Sequence, residues 1–267
     1  MEYPKAVLSD ADGTLVDTVR LIRHGQYETA KSYLTQYGIS EVDLPSYDTY
    51  EVLLNKVVGG SARDTLERTV RLLYESQPHH LEGMDFNVLH DMLNPIQDAL
   101  AFEFIQPYEG LSEFFSRLGG LGIKLAIFTS GTPHHVVRNF GVALPELHLA
   151  DLYKDKSLSD MAKLAEFEQS LAAHYGLPAF TVITCDDVAT HKPHPAGLEL
   201  AMSRLEVSPE ESMVLGDHAV DMQSGINAGI GQRVGISHGF NDQETLLTSG
   251  ATDVVGSLNE LFIEGIE

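Results

Sequence analysis

Two carboxylates close together at the end of a short apolar run are the residues of this chain best placed to do chemistry. The run 7–9 leads directly into Asp10, Ala11, Asp12, Gly13 and Thr14. In an extended chain alternate side chains share a face, so Asp10 and Asp12 are expected on the same side, close together. Like charges held that close resist ionising together. One can stay an anion and act as nucleophile or metal ligand, while the other, its pKa raised, serves as acid or base. Gly13 lets the backbone turn sharply, and Thr14 can hydrogen-bond the turn it sits in. An acidic surface turn is the plainer use of Asp-Gly, so the pair needs partners elsewhere in the chain.

Three other stretches offer them. Thr129, Ser130 and Gly131 follow the apolar run 124–128. A hydroxyl and backbone N–H groups there can grip a phosphate oxygen, helped by a following helix N-terminus; an ordinary helix cap is the alternative. Lys192 stands beside Pro193, with Pro195 close behind. Prolines restrict the backbone, so its ammonium can be aimed, the alternative being a solvated surface lysine. Asp217 and Asp221 follow the run 212–215 and Gly216. With Asp10 they supply the carboxylate oxygens that a hard cation such as Mg2+ prefers; the alternative is an acidic turn with Asp217 capping a helix.

Positioning residues so far apart in sequence requires several elements to converge. Residues 19–37 carry apolar side chains at helical spacing until Gly38. The whole stretch 18–104 reads as helices and loops, including 50–58, 62–74 and 84–104, punctuated by Pro45, Pro78 and Pro95. From 105 onward helix and strand alternate. Strands are predicted at 124–129, 181–185, 212–215, 233–236 and 253–255, and helices at 111–118, 134–140, 161–175 and 196–205. This rhythm predicts an α/β fold: a Rossmann-like parallel sheet core from 1–17 and 105–267, with an inserted helical domain, 18–104, able to cover what the first strand carries. The active site is then expected at the carboxyl ends of the strands.

Composition narrows the partners. The 267 residues are 43% hydrophobic and 21% charged, the profile of an ordinary globular protein. With 17 basic against 39 acidic residues the net charge is −22, which argues against nucleic acid or an anionic membrane surface. An anionic ligand needs a local positive pocket or a cation. A single cysteine, Cys185, excludes an internal disulfide and fits a reducing compartment. No stretch approaches a signal or membrane span, so the expected location is the cytoplasm.

These four stretches, in this order and spacing, resemble the haloacid dehalogenase superfamily of phosphatases, in the branch with a helical cap inserted after the first strand. Asp-x-Asp-Gly-Thr at 10–14, Thr129, Lys192 in a Lys-Pro-x-Pro context, and Gly-Asp-x-x-x-Asp at 216–221 carry the resemblance over nearly the whole length. It implies that Asp10 attacks phosphorus to form an aspartyl-phosphate, and that Asp12 protonates the leaving oxygen and then deprotonates the hydrolytic water. It implies further that Thr129 binds the phosphoryl group, that Lys192 steadies the charge of Asp10 and the phosphate, and that Asp217, Asp10 and the Asp12 carbonyl hold Mg2+, with Asp221 nearby. Asp12 favours phosphate monoesters, because dehalogenase members lack that acid and phosphonate-cleaving members typically carry alanine there. Residues 57–64 resemble the loop that related enzymes lower onto the site, which makes Arg63 a candidate for the substrate's distal part; a helix start capped by Ser61 is the alternative.

The chain departs from the family in the stretch between Thr129 and Asp186, which is longer than expected, mostly over 142–175, where additional helix is predicted. His191 and His218 stand where relatives often have small residues; partly exposed structural roles are expected for both, contact with substrate or metal being the alternative. Cys185 reads as a small buried hydrophobe on a strand. The expected function is a Mg2+-dependent phosphatase of a small phosphorylated metabolite, monomeric or homodimeric and similar to the phosphoglycolate phosphatase group. The alternatives are a phosphomutase of the β-phosphoglucomutase kind, or a non-catalytic ligand-binding protein on the same fold.

Overall fold

The structure, a computed structural model, describes residues 3–57 and 61–261. The chain divides into two compact units, Met1–Thr18 with Ile105–Glu267, and Val19–Phe104. The strands are β1 (Ala6–Ser9), β2 (Val16–Asp17), β3 (Gln106–Pro107), β4 (Lys124–Phe128), β5 (Phe180–Ile183), β6 (Ser212–Gly216), β7 (Gln232–Ile236) and β8 (Asp253–Val255). The helices of the second unit are α1 (Val19–Gln36), α2 (Tyr47–Val57), α3 (Ala62–Leu73) and α4 (Phe86–Phe104). Those of the first are α5 (Leu111–Leu121), α6 (Pro133–Ala143), α7 (Asp160–Tyr175), α8 (Ala196–Leu205), α9 (Ala219–Asn227) and α10 (Gln243–Thr248).

Six strands form one parallel sheet in the order β5-β4-β1-β6-β7-β8. Every residue of β1 and β6 is buried, as near-continuous apolar runs must be in the middle of a sheet covered on both faces. Leu8, Phe128 and Val214 from the sheet pack with Leu198 and Met202 of α8. Burial contributes about 1.5–3 kcal/mol for each large apolar side chain, which makes the sheet centre a firm base for a site. Ser9 stands level with Ile127 on one side and Leu215 on the other. The ladders run one residue further: Asp10 N–H donates to Leu215 O at 2.8 Å and Thr129 N–H to Ile183 O at 2.9 Å. Asp10 and Thr129 are thereby held at the carboxyl edge, where the chain departs from β1 to both sides and opens a crevice.

Where the chain passes between the units, β2 pairs with β3 antiparallel, Val16 opposite Pro107 and Asp17 opposite Gln106. Two residues per strand are too few to show an alternating pattern, so the sequence predicts no strand here. The helical unit has its own core, including Tyr33, Leu34, Tyr50, Leu54 and Leu89. In it α1 and α4 approach closely at Gly25, where a Cβ would meet the Gln97 side chain at 2.6 Å. Pro95 lies inside α4 rather than at its end.

The stretch 142–175 forms two short 3-10 turns, Pro145–Leu147 and Leu152–Lys154, and then α7. Tyr175 at the end of α7 donates its hydroxyl to Glu146 at 2.6 Å, and Ser112 of α5 donates to the same oxygen at 2.7 Å. Midway along α7, Glu168 accepts the N–H of Val182 at 2.6 Å, while Arg204 donates to the Val182 carbonyl at 3.1 Å. Both outward-facing backbone groups of Val182 on the edge strand β5 are thus satisfied by side chains, which closes a pairing edge.

Cys185 does not lie on the strand that the sequence predicts for it. Strand β5 ends at Ile183, and Cys185 starts a 3-10 turn, half-buried rather than packed in the sheet. Asp187 accepts hydrogen bonds from both the N–H and the hydroxyl of Thr184 at 2.9 Å, which turns the chain out of the strand two residues early.

Candidate active site

Asp10, Lys192, Asp217 and Asp221 form one buried cluster. Lys192, on the loop between β5 and α8, places Nζ 2.5 Å from Asp10 Oδ1 and 2.8 Å from Asp221 Oδ1. The same ammonium lies 4.0 Å from the centroid of the Phe128 ring at the end of β4. An aromatic face below and carboxylates on two sides aim it, as the neighbouring prolines led one to expect.

Asp217, the residue after β6, is fully buried and gripped on both oxygens. Thr14 donates its hydroxyl to Oδ1 at 2.6 Å, and Phe240 N–H donates to Oδ2 at 2.7 Å. The space around it admits no side chain, since a Cβ on Gly13 would stand 2.4 Å from Oδ2 and one on Gly239 2.0 Å away. Gly13 also has φ +85°, a second reason for glycine there. The Phe240 loop is tied back to the turn after β1: His238 Nε2 donates to Thr14 O at 3.0 Å and stacks on Tyr108 at 3.6 Å. Asp221 belongs to the first turn of α9, where its Oδ2 accepts His218 N–H at 3.0 Å.

Three carboxylates against one ammonium leave two negative charges uncompensated in a buried place. Burial drives the Asp10 carboxyl well above its usual range; Lys192 opposes this, and Asp221 and Asp217 add to it. Burial likewise raises Asp217 to about 7, with Asp221 adding and Thr14, Phe240 and Lys192 opposing. Burial alone would lower the Lys192 pKa, but Asp10 and Asp221 outweigh it and hold the ammonium above its usual range. Oxygen ligands of Asp10, Asp217 and Asp221 lie within 4.8 Å of one another. An all-oxygen set with a residual charge of two fits a hard divalent cation.

The Asp12 side chain stands apart from this group. Its Oδ1 accepts hydrogen bonds from Thr18 Oγ1 and Asn139 Nδ2, both at 2.8 Å. The spacing predicts repulsion between Asp10 and Asp12; the carboxylates that raise Asp10 are instead Asp221 and Asp217. The reason is local: the chain leaves the strand after Ser9, and Asp12 pairs with Val16 in a tight turn. The Asp12 side chain is not part of the group of carboxylates that could hold a metal ion.

Thr129, Ser130, His191 and Lys192 line one pocket. Here too the turn differs from expectation. Gly131 N–H donates to Thr129 Oγ1 at 2.9 Å, so it is engaged rather than offered to a ligand, while the hydroxyl becomes oriented. Neither Thr129 nor Ser130 caps the next helix; Thr132 does, with Pro133 behind it. Asp217 is likewise not the cap of α9; His218 is, its Nδ1 accepting Val220 N–H at 3.2 Å. Burial lowers the His218 pKa, in keeping with that accepting role. His191 is exposed.

Arg63 is exposed in the first turn of α3, which Ser61 caps by accepting Asp64 N–H at 3.1 Å. The Val58, Gly59 and Gly60 part of the expected loop lies outside the described residues. Thr18, Arg138, Asn139, His238 and Phe240 also support the site and carry no signal in the sequence. Phe240 acts through its backbone, and the others are single polar residues without motif spacing.

The fold and this cluster define a hydrolase of the haloacid dehalogenase type. The chain belongs to the haloacid dehalogenase-like hydrolase family, whose model matches residues 4–229. Among curated relatives, pyrophosphatase PpaX of Anoxybacillus flavithermus is 28% identical over 247 residues, covering 91% of this chain and 87% of that protein. Pyrophosphatase PpaX of Halalkalibacterium halodurans is 26% identical over 227 residues, covering 84% and 80%. Among solved structures, CbbY of Rhodobacter sphaeroides in complex with phosphate has a TM-score of 0.66 at 21% identity, covering 97% of this chain and 96% of that one.

Proposed function

We propose that the protein is a Mg2+-dependent phosphatase of a small phosphorylated metabolite, working through an aspartyl-phosphate. The observation that carries this is the pairing of Asp10 with Lys192 at 2.5 Å beside two further buried carboxylates and the Thr129 end of β4. Family membership and the pyrophosphatase relatives support it. An Asp10 oxygen attacks phosphorus as the bond to the leaving oxygen breaks, and Asp12 gives that oxygen its proton. Asp12 then takes a proton from water as the water attacks phosphorus, phosphate leaves, and the Asp10 carboxylate is restored. Thr129 donates to a phosphoryl oxygen, and Lys192 balances charge on Asp10 and the transferring group. A magnesium ion held by Asp10, Asp217, Asp221 and the Asp12 carbonyl would neutralise charge on the phosphoryl oxygens.

Substrate choice is assigned to the helical unit, with Arg63 as the candidate contact for the distal part of the substrate. The PpaX relatives make inorganic pyrophosphate one substrate to test. The proposed compartment is the cytoplasm, and no described helix is long and apolar enough to cross a membrane. The test is hydrolysis of p-nitrophenyl phosphate, pyrophosphate and a panel of metabolite phosphates, with and without Mg2+, beside Asp10→Asn. Hydrolysis by the wild type that needs Mg2+ and vanishes in Asp10→Asn is expected. A wild type inactive on the whole panel would overturn the reading, and activity surviving Asp10→Asn would overturn the covalent route.

A further inference from the structure

The Asp12 carboxylate is held by a helix that the catalytic motifs do not include. Asn139 lies within α6, where asparagine is a poor helix former, and is buried to 4% exposure. Its Nδ2 donates to Asp12 Oδ1 at 2.8 Å. Its own Oδ1 accepts from Nε of the adjacent Arg138 at 3.0 Å, an arginine only 2% exposed. A buried arginine and a buried asparagine side by side on a helix need a reason, because burying polar groups costs stability unless their bonds are made.

We infer that Asn139, oriented by Arg138, is the positioning residue that decides which oxygen of Asp12 handles the proton. The guanidinium is donor only, so the amide oxygen must face it, and the amide nitrogen must then face Asp12. A reversed amide would set nitrogen against guanidinium and oxygen against carboxylate. Thr18 donates to the same Oδ1 at 2.8 Å, so both lone pairs of that atom are taken. The proton of the acid form is directed to Oδ2, and that oxygen gives it to the leaving group as the ester bond breaks.

The inference rests on the proposed phosphatase reaction with Asp12 as acid, and its test separates the two. Proton donation matters for a poor leaving group and little for a good one. The readout is therefore the ratio of kcat/KM for phenyl phosphate to that for 2,4-dinitrophenyl phosphate, which uniform damage to the fold does not change. In Asn139→Leu the ratio is expected to fall about 10- to 100-fold, within the range that general acid catalysis supplies. Asn139→Asp keeps the size and the Arg138 partner but presents an acceptor to Asp12, and a similar fall is expected. An unchanged ratio in both variants, whatever the absolute rates, overturns the positioning role alone. A wild type that hydrolyses neither ester overturns the phosphatase reading and this inference with it.

Discussion

Thr14 and Asp217, 203 positions apart in sequence, are joined by a buried hydrogen bond of 2.6 Å from the threonine hydroxyl to Oδ1. The bond ties the turn after the first strand to the acidic residue after the sixth and orients a carboxylate of the candidate metal group. Thr14→Val should weaken Mg2+ binding about 10- to 100-fold, the usual effect of losing an orienting partner of a metal ligand. Thr14→Ser, which keeps the hydroxyl, should lose much less. Calorimetric titration of both variants with Mg2+ measures the difference, and equal affinities would show that the bond does not orient Asp217.

The charge state of the cluster gives the metal-free protein a definite pH dependence. Asp217 rises from an ordinary 3.8 to about 7 in the fold, chiefly through burial. A carboxyl whose folded pKa is raised stabilises the fold while protonated, fully below the unfolded value, and loses that contribution as pH climbs through the folded value. Thermal midpoints without metal should therefore fall across that window. Mg2+ favours the ionised form, so the stabilisation it brings should grow over the same window, reaching about 2.7 kcal/mol at a hundredfold excess over Kd. A Mg2+ shift that is flat with pH would contradict the assignment of these carboxyls to the cation.

Lys192 is the positive partner that keeps Asp10 and Asp221 together. Removing one partner of a buried ion pair costs about 3–5 kcal/mol, because the other charge is left alone. Lys192→Met should show a loss of that order at pH 8 in denaturant unfolding without metal. Much of it should return on adding Mg2+, while hydrolysis does not. If Mg2+ restores nothing, the cation and the ammonium do not share this charge cluster.

On the edge strand, Glu168 and Val182 offer a test of what the long stretch before it does. Glu168→Ala leaves the Val182 N–H without its acceptor and should cost about 1–3 kcal/mol. Burial raises the Glu168 pKa, so holding the charge there is unfavourable. Glu168→Gln keeps an acceptor without the charge and should be near neutral or mildly stabilising. Chemical denaturation of the two variants distinguishes edge closure from simple surface packing.

Much of the fold was legible because the core strands are continuous apolar runs set between helical patterns. Runs such as 124–128 and 212–215 announce buried parallel strands, and the change of period near residue 105 marks where the α/β pattern resumes. The β2–β3 pairing and the early end of β5 were not legible, since two-residue strands have no period and the Thr184–Asp187 turn competes locally with the strand. In the site, Asp10, Lys192, Asp217 and Asp221 could be chosen from the chain because each follows a strand run or sits beside prolines. Asn139, Thr18 and His238 could not, because single polar residues in a helix, at a junction or in a loop leave no spacing to read.

Residue type and spacing by themselves determined that two acidic turns, a hydroxyl turn and an aimed lysine lie at the ends of apolar runs, and hence the fold class and the kind of chemistry. Only the tertiary structure decided how the two aspartates of the opening motif divide. Asp10 goes into the buried cluster with Lys192, Asp217 and Asp221, and Asp12 goes to Thr18 and Asn139. The physical reason is that the burial and neighbouring charge that set what Asp10 does come from Lys192, Asp217 and Asp221, far along the chain, whereas Asp12 is turned aside by its local pairing with Val16 and held by the nearby Thr18 and the distant Asn139.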